Sequence, residues 1–174
     1  MARLAWPPQD LIPLERGLDE LANSIRERPR DRTDDEQIWL TRYLVVRSCG
    51  YLEQVLYSTT ISHIEHSSGG TAKSYALSWL SRSINPTPDN VHTTLGRFDP
   101  SMAAEFKIWL DDNRGELNNE LSSLVARRHG IAHGLNEGMG SRRALELYIV
   151  CKQVADWLIL RLNPNPSRGT AYTR

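Results

Sequence analysis

The 174-residue sequence has little of what marks a secreted or membrane-spanning protein. It has two cysteines, without Cys-x-x-Cys spacing or a nearby ligand cluster, and each lies in an apolar helical pattern. We therefore expect Cys49 and Cys151 to be buried structural thiols rather than a disulfide or a nucleophile. No apolar run approaches the ~18 residues that cross a bilayer. The N-terminus lacks the pattern of a secretory signal. These absences predict a cytoplasmic protein without membrane contact.

The formal net charge is zero, because 21 Lys and Arg residues balance 21 Asp and Glu residues. This balance argues against a protein that coats long nucleic acid by charge alone. The charges are unevenly placed, with 13 basic and 18 acidic residues in positions 1–120 but 8 and 3 in positions 121–174. A local basic face in the second part could bind a short run of phosphates, although each arginine could equally be an ordinary solvated side chain. The arginines concerned are Arg127, Arg128, Arg142, Arg143 and Arg161.

No segment alternates apolar and polar residues, and helical spacing extends nearly throughout. Thr33 and Glu36 have the spacing of a capping box and predict a long helix that runs to about His66. Gly50 lies midway along it, where we expect either a bend or close packing by another helix. Further helices are expected at about 13–25, 71–84, 88–95, 100–111, 115–132 and 141–162. The pattern predicts an all-α bundle of about five to seven helices, with two long α-hairpins, as one domain over residues 1–162 and a loose tail over 163–174.

The helix expected at 141–162 carries apolar residues on two sides. Leu145, Ala155 and Ile159 lie on one stripe, and Val150 with Trp157 on another. A helix of this kind is either buried or part of an interface. Together with the length of the 34–66 helix, this pattern predicts a symmetric homodimer.

One segment contains side chains suited to catalysis. It is the run Arg128-His129-Gly130-Ile131-Ala132-His133. A guanidinium that stays charged, beside an imidazole that titrates near neutral pH, suits phosphodiester chemistry. The arginine can neutralise developing charge on the phosphate while the histidine moves a proton. In an unbroken helix the two side chains would point about 140° apart. We expect Gly130 and Gly134 to loosen or end the helix, so that His133 can turn towards Arg128.

The whole stretch Ser123–Gly134 resembles the motif helix of the HEPN superfamily, in which an Arg, a polar residue, three variable positions and a His come before a small residue. Segments 43–54, 81–86 and 95–100 resemble the RiboL-PSP-like branch, and the likeness covers most of residues 35–160. Most members have Asn after the motif Arg, where this chain has His129. A Tyr found two residues after the His in one toxin branch is replaced here by Leu135.

The resemblance implies an all-α dimer in which two Arg-x4-His motifs face each other across one cleft. It implies a metal-independent endoribonuclease that leaves a 2′,3′-cyclic phosphate and serves as a toxin or an antiviral effector. Arg128 and His133 would be catalytic, with His129, Arg127 and Arg47 in supporting or RNA-binding roles. The partners would be RNA, a second copy and an antitoxin or neighbouring defence protein. No cofactor is expected.

Other interpretations stay open at this point. His129 and His133 have the i, i+4 spacing of a zinc pair but lack an adjacent Glu and an evident third ligand. The pair Arg128 and His133 could simply complement a helix C-terminus, or the chain could be an inactive dimerisation module. Arg47 lies in an apolar stretch and needs either a function or a salt bridge to a carboxylate such as Glu53. His63 and His66 are expected to face solvent at a helix end.

Overall fold

The computed structural model describes residues 5–80, 84–135 and 138–165. Within these ranges the secondary structure is entirely helical, which confirms the predicted all-α class. The six helices are α1 (Leu11–Glu27), α2 (Asp34–Ser67), α3 (Gly70–Trp79), α4 (Pro88–Gly96), α5 (Pro100–Ala132) and α6 (Ser141–Arg161). None of the described helices combines the length and apolar character needed to span a membrane. Two predicted features lie partly outside the described residues. They are the segment 81–86, of which residues 81–83 are not described, and the expected tail, of which residues 166–174 are not described.

Helix α2 starts where the capping box predicted. The Thr33 hydroxyl accepts a hydrogen bond from the Glu36 N–H at 3.2 Å, and the Thr33 N–H donates to the Glu36 carboxylate at 2.8 Å. Two N–H groups that the helix itself leaves unpaired are thereby satisfied. The Thr33 N–H and, second to it, the Thr33 hydroxyl donate to the Glu36 carboxylate and hold the pKa of Glu36 below its usual value. Helix α2 then runs for 34 residues and packs against α1, α3, α5 and α6.

The expectation of close packing at Gly50 is wrong. This glycine is exposed within the continuous helix, and a Cβ placed on it would meet nothing within 4 Å.

Helix α6 buries much of its two apolar sides within the chain, because it packs against α1, α2 and α5. Leu147, Cys151 and Leu158 are fully buried, while Val150 and Trp157 are also below one-tenth exposed. Phe106 and Trp109 from α5 pack on the Trp157 ring at centroid distances of 5.0 and 5.7 Å. Burial within the chain therefore accounts for most of the apolar surface of this helix, while Ile149 and Leu160 are 49% and 47% exposed.

Helix α5 joins two segments that the sequence pattern kept apart, at 100–111 and 115–132. The chain is helical from Pro100 to Ala132, but Arg114 and Gly115 have φ angles of +63° and +73°. Both values lie in the left-handed region, which is unfavourable for a side chain such as arginine. The boundary predicted between residues 111 and 115 therefore falls where α5 departs locally from helical geometry.

The C-terminus of α5 has the hydrogen bonds of a Schellman motif. Gly134 has a φ of +74°. Its N–H donates to the Ile131 carbonyl at 3.1 Å, and the Leu135 N–H donates to the Gly130 carbonyl at 3.0 Å. The helix thus continues through Gly130 to Ala132, with His133 as its C-cap and Gly134 in the turn that follows.

We expect Gly134→Ala to lower the free energy of unfolding by about 1 kcal/mol, because a side chain disfavours positive φ. Gly17→Ala is the matched control. Gly17 lies inside α1, where a Cβ meets no atom within 4 Å, and this change should raise stability by roughly 0.5–1 kcal/mol. Urea unfolding followed by circular dichroism measures both. Equal effects of the same sign would contradict the assignment of the turn.

Candidate active site

Arg128 is held by an ion pair that joins α5 to α2. Its Nη2 atom donates to Oε1 of Glu53 at 2.9 Å, and the two side chains are 32% and 17% exposed. A guanidinium carries five N–H donors, so this contact leaves donors for a second oxygen ligand. Sequence reasoning considered Glu53 only as a partner for Arg47. The structure corrects that pairing, because Glu53 lies against Arg128.

Arg47 is half-buried and makes no ion pair or hydrogen bond with the residues that the structure describes. A partly buried cation without a protein partner is costly unless water or a ligand solvates it. Of the two interpretations left open for Arg47, the salt bridge to Glu53 is therefore excluded. A ligand-binding role remains available to it.

His129 and His133 lie side by side on the exposed surface of α5. Their ring centroids are 4.2 Å apart, with the ring planes tilted by 58°. This contact follows from the i, i+4 spacing along a helix that stays regular to its last turn. Both residues are exposed, so both rings are open to a ligand from solvent.

The expectation that His133 turns towards Arg128 is wrong. Because α5 remains helical through Gly130, the two side chains keep different directions. Within the described parts of the chain, the hydrogen bond of Arg128 goes to Glu53, and none joins it to His133. One chain therefore presents a pair of imidazoles on one side of the helix and an anchored guanidinium on another.

The neighbouring arginines are mostly engaged by carboxylates. Arg143 contacts Glu120 at 2.7 Å and Glu146 at 3.4 Å, and Arg142 donates to Glu146 at 3.0 Å. The hydrogen bond from Arg142, followed by that from Arg143, holds the pKa of Glu146 below its usual value. Arg161 is paired with Glu105, far along the chain. Arg127 is half-buried beside the site and also has an interaction of its own. The predicted basic face is consequently much closer to neutral than its composition suggested.

The cysteines are free and buried, as predicted. Cys49 lies next to the ion pair, with its Sγ 3.9 Å from Oε1 of Glu53. Burial, with a smaller contribution from Glu53, raises the pKa of Cys49 to about 12. Burial also raises the pKa of Cys151. Both groups are therefore thiols at neutral pH, and thiols are poor nucleophiles compared with thiolates.

The remaining histidine candidates do not assemble into a metal site. No group of three or more His, Cys, Asp or Glu side chains suited to a metal ion occurs among the described residues. His63, expected to face solvent, is instead half-buried. Its Nδ1 lies 3.0 Å from the Leu162 carbonyl, and its ring packs edge-on against Phe98 at 5.6 Å. This histidine therefore ties the end of α2 to the end of α6.

We expect the Arg128–Glu53 pair to show a coupling of about 1 kcal/mol in a double-mutant cycle. That value reflects a pair that is neither fully exposed nor fully buried. The cycle consists of Arg128→Ala, Glu53→Ala and the double variant, each unfolded in urea. If the single effects simply add, the ion pair contributes nothing to stability. Arg142→Ala with Glu146→Ala gives the exposed comparison pair on α6, for which the coupling is expected to be smaller because solvent screens it.

Comparison with known proteins identifies the protein family of this chain. No curated protein and no solved structure matches the chain. The sequence model of one family, described as RiboL-PSP-HEPN, matches residues 12–160. The match includes α2, which supplies Glu53, and α5, which supplies Arg128, His129 and His133. The family suggests a nuclease or nucleotide-binding role. Because the match spans most of the sequence, the chain belongs to the RiboL-PSP-HEPN family.

Proposed function

We propose that this protein is a metal-independent endoribonuclease that cleaves RNA through attack of the ribose 2′-OH on the adjacent phosphate. The observation that carries the proposal is the anchored guanidinium of Arg128 on the same helix end as the exposed imidazole of His133. Family membership supports it. In this proposal the protein acts in the cytoplasm as a toxin or an antiviral effector, controlled by an antitoxin or a neighbouring defence protein.

The reaction needs two proton transfers and one site of charge stabilisation. A base removes the proton of the 2′-OH, the freed oxygen bonds to phosphorus, and the 5′-oxygen leaves with a proton from an acid. The product is a 2′,3′-cyclic phosphate. Imidazole is suited to either proton transfer near neutral pH. Guanidinium is suited to the negative charge that builds on the phosphate oxygens, which it can bind through two N–H groups.

Glu53 is a positioning residue in this scheme. It fixes the guanidinium of Arg128 through Nη2 and keeps the long side chain from sampling other rotamers. Preorganised donors stabilise developing charge without reorganising during the reaction. We assign His129 a lesser role, orienting the His133 ring or the substrate through the contact between the two imidazoles.

A second copy of the chain completes the site. In one chain the guanidinium of Arg128 lies on Glu53, while the His133 ring lies with His129 on another side of the helix. Two chains related by a twofold axis at the C-terminus of α5 would bring the arginine of one copy towards the histidine of the other. Leu135 follows His133 and is 60% exposed, so it supplies apolar surface for such a contact.

We expect Arg128→Ala and His133→Ala each to lower the rate of RNA cleavage by about two orders of magnitude or more, the usual scale for losing a charge-stabilising donor or an acid–base group. Cleavage of a labelled oligoribonucleotide by purified protein measures this. Glu53→Gln should lose less than Arg128→Ala, because the amide oxygen still accepts the hydrogen bond. His129→Asn should stay closer to wild type than His133→Ala.

Two controls accompany that experiment. Substrate with 2′-deoxyribose at the cut position should resist, because it lacks the nucleophile. Excess chelator should leave the rate unchanged. Undiminished cleavage by His133→Ala, or equal cleavage of the deoxy substrate, would refute the mechanism. Loss of activity with chelator and recovery with zinc or magnesium would replace it with a metal-dependent one. A wild-type protein that cuts no RNA would leave the dimerisation module as the function.

We expect the wild-type protein to be a dimer at micromolar concentration in light scattering, with the axis near the C-terminus of α5. Leu135→Glu should shift it towards the monomer, since the change places a charge in the apolar contact. The matched control is Ile108→Glu, which alters an even more exposed residue, 72% accessible, elsewhere on α5. A strictly monomeric wild type, or equal effects of the two variants, would contradict the proposed assembly.

A further inference from the structure

One exposed face of α2 is unusually aromatic. Trp39 is 65% exposed, Tyr43 is 51% exposed and Tyr57 is 36% exposed. At 100° per residue these side chains and the exposed Gly50 fall within about 40° of one another around the helix. We call this set, Trp39, Tyr43, Gly50 and Tyr57, the α2 aromatic face. The face extends from residue 39 to residue 57, or about 27 Å of helix.

The α2 aromatic face has a cation on one border and an ion pair on the other. Arg47 lies on one border and has no ion-pair or hydrogen-bond partner among the described residues. Glu53 lies on the other border and holds Arg128 from α5. At the N-terminal end, the guanidinium of Arg42 lies over the Trp39 ring at 5.4 Å. An acidic first turn, Asp34–Glu36, lies beyond Trp39 and would repel an approaching phosphate chain there.

The face is continuous with the candidate active site. Tyr57 is one helical turn beyond Glu53, and Tyr43 is ten residues before it, about 15 Å along the axis. A chain of nucleotides laid along α2 between these two tyrosines therefore passes the carboxylate that anchors Arg128. Gly50 lies between them without a side chain, and the space above it is open.

We infer that the α2 aromatic face is a base-stacking subsite for single-stranded RNA, with Tyr43 and Tyr57 as the stacking platforms and Arg47 as a phosphate contact. This inference rests on the proposed function, and it adds that the RNA is bound as an unpaired single strand. Aromatic rings bind unpaired bases by stacking, which a duplex prevents because its bases are already stacked on each other. Charge complementarity favours RNA over a second copy as the occupant, because Arg47, which has no partner among the described residues, would have to be desolvated in a protein interface.

The test measures binding apart from cleavage. His133→Ala keeps RNA uncut, so fluorescence anisotropy of a labelled single-stranded oligoribonucleotide reports affinity in this background. Adding Tyr43→Ala or Tyr57→Ala should weaken binding by about tenfold each, within the range found for loss of one base–aromatic stack. Tyr43→Phe and Tyr57→Phe keep the ring and should retain affinity. Tyr75→Ala is the matched control on α3, where the tyrosine is 66% exposed, and should bind like the background.

A second arm uses the same sequence annealed as a duplex. The duplex should bind more weakly, and the two tyrosine variants should not change its affinity. Arg47→Ala should weaken binding of the single strand and reduce its dependence on salt, as expected when one phosphate contact is lost. Circular dichroism of each variant verifies that the helices remain folded.

The outcomes separate this inference from the proposed function. Unchanged single-strand affinity in both alanine variants overturns the inference, even if the wild type cleaves RNA. Conversion of the dimer to a monomer by Tyr43→Ala or Tyr57→Ala in light scattering also overturns it and makes the face an interface between copies. Tenfold weaker single-strand binding in these variants supports the subsite, even if the wild type proves unable to cut.

Discussion

The candidate site depends on one ion pair, Arg128 with Glu53, at the contact between α5 and α2. Without the carboxylate, a long arginine side chain near the end of a helix would sample many rotamers, and ordering it on substrate would cost side-chain entropy. The pair therefore does more than add stability. It fixes a cation at a defined place on the surface of the bundle, next to an exposed pair of imidazoles.

The sequence was informative about where helices begin, because the capping interactions that start them are local. The start of α2 was predicted because the capping box lies within four residues, and Asp99 caps α5 by accepting from the Ser101 N–H at 2.8 Å. The partner of Arg128 could not be predicted in this way, because Glu53 is 75 residues away and only the packing of two helices brings them together. The same limit explains the wrong pairing of Glu53 with Arg47, which assumed contact within one helix.

The direction of His133 shows a different limit. Two glycines near the end of α5 suggested a break, but only one of them has the positive φ that ends a helix. Gly130 is buried and remains helical, and its carbonyl accepts the closing hydrogen bond from Leu135. Composition alone does not tell which of two nearby glycines takes the left-handed conformation, since that choice depends on the packing around the end of the helix, where Gly130 is buried and Gly134 is exposed.

The position of Glu53 raises a question of charge, because a carboxylate near the scissile phosphate would repel it. Burial resolves the question. The side chain of Glu53 is 17% exposed and that of Arg128 is 32% exposed, so the guanidinium is the more accessible member of the pair. In the proposed complex a phosphate arriving from solvent would meet the cation first, and the carboxylate would act mainly through the hydrogen bond to Nη2. Replacing Glu53 by a neutral acceptor would reduce the repulsion but also loosen the arginine. In the proposed complex we expect positioning to outweigh repulsion, because the hydrogen bond acts at 2.9 Å while the phosphate would lie beyond the guanidinium.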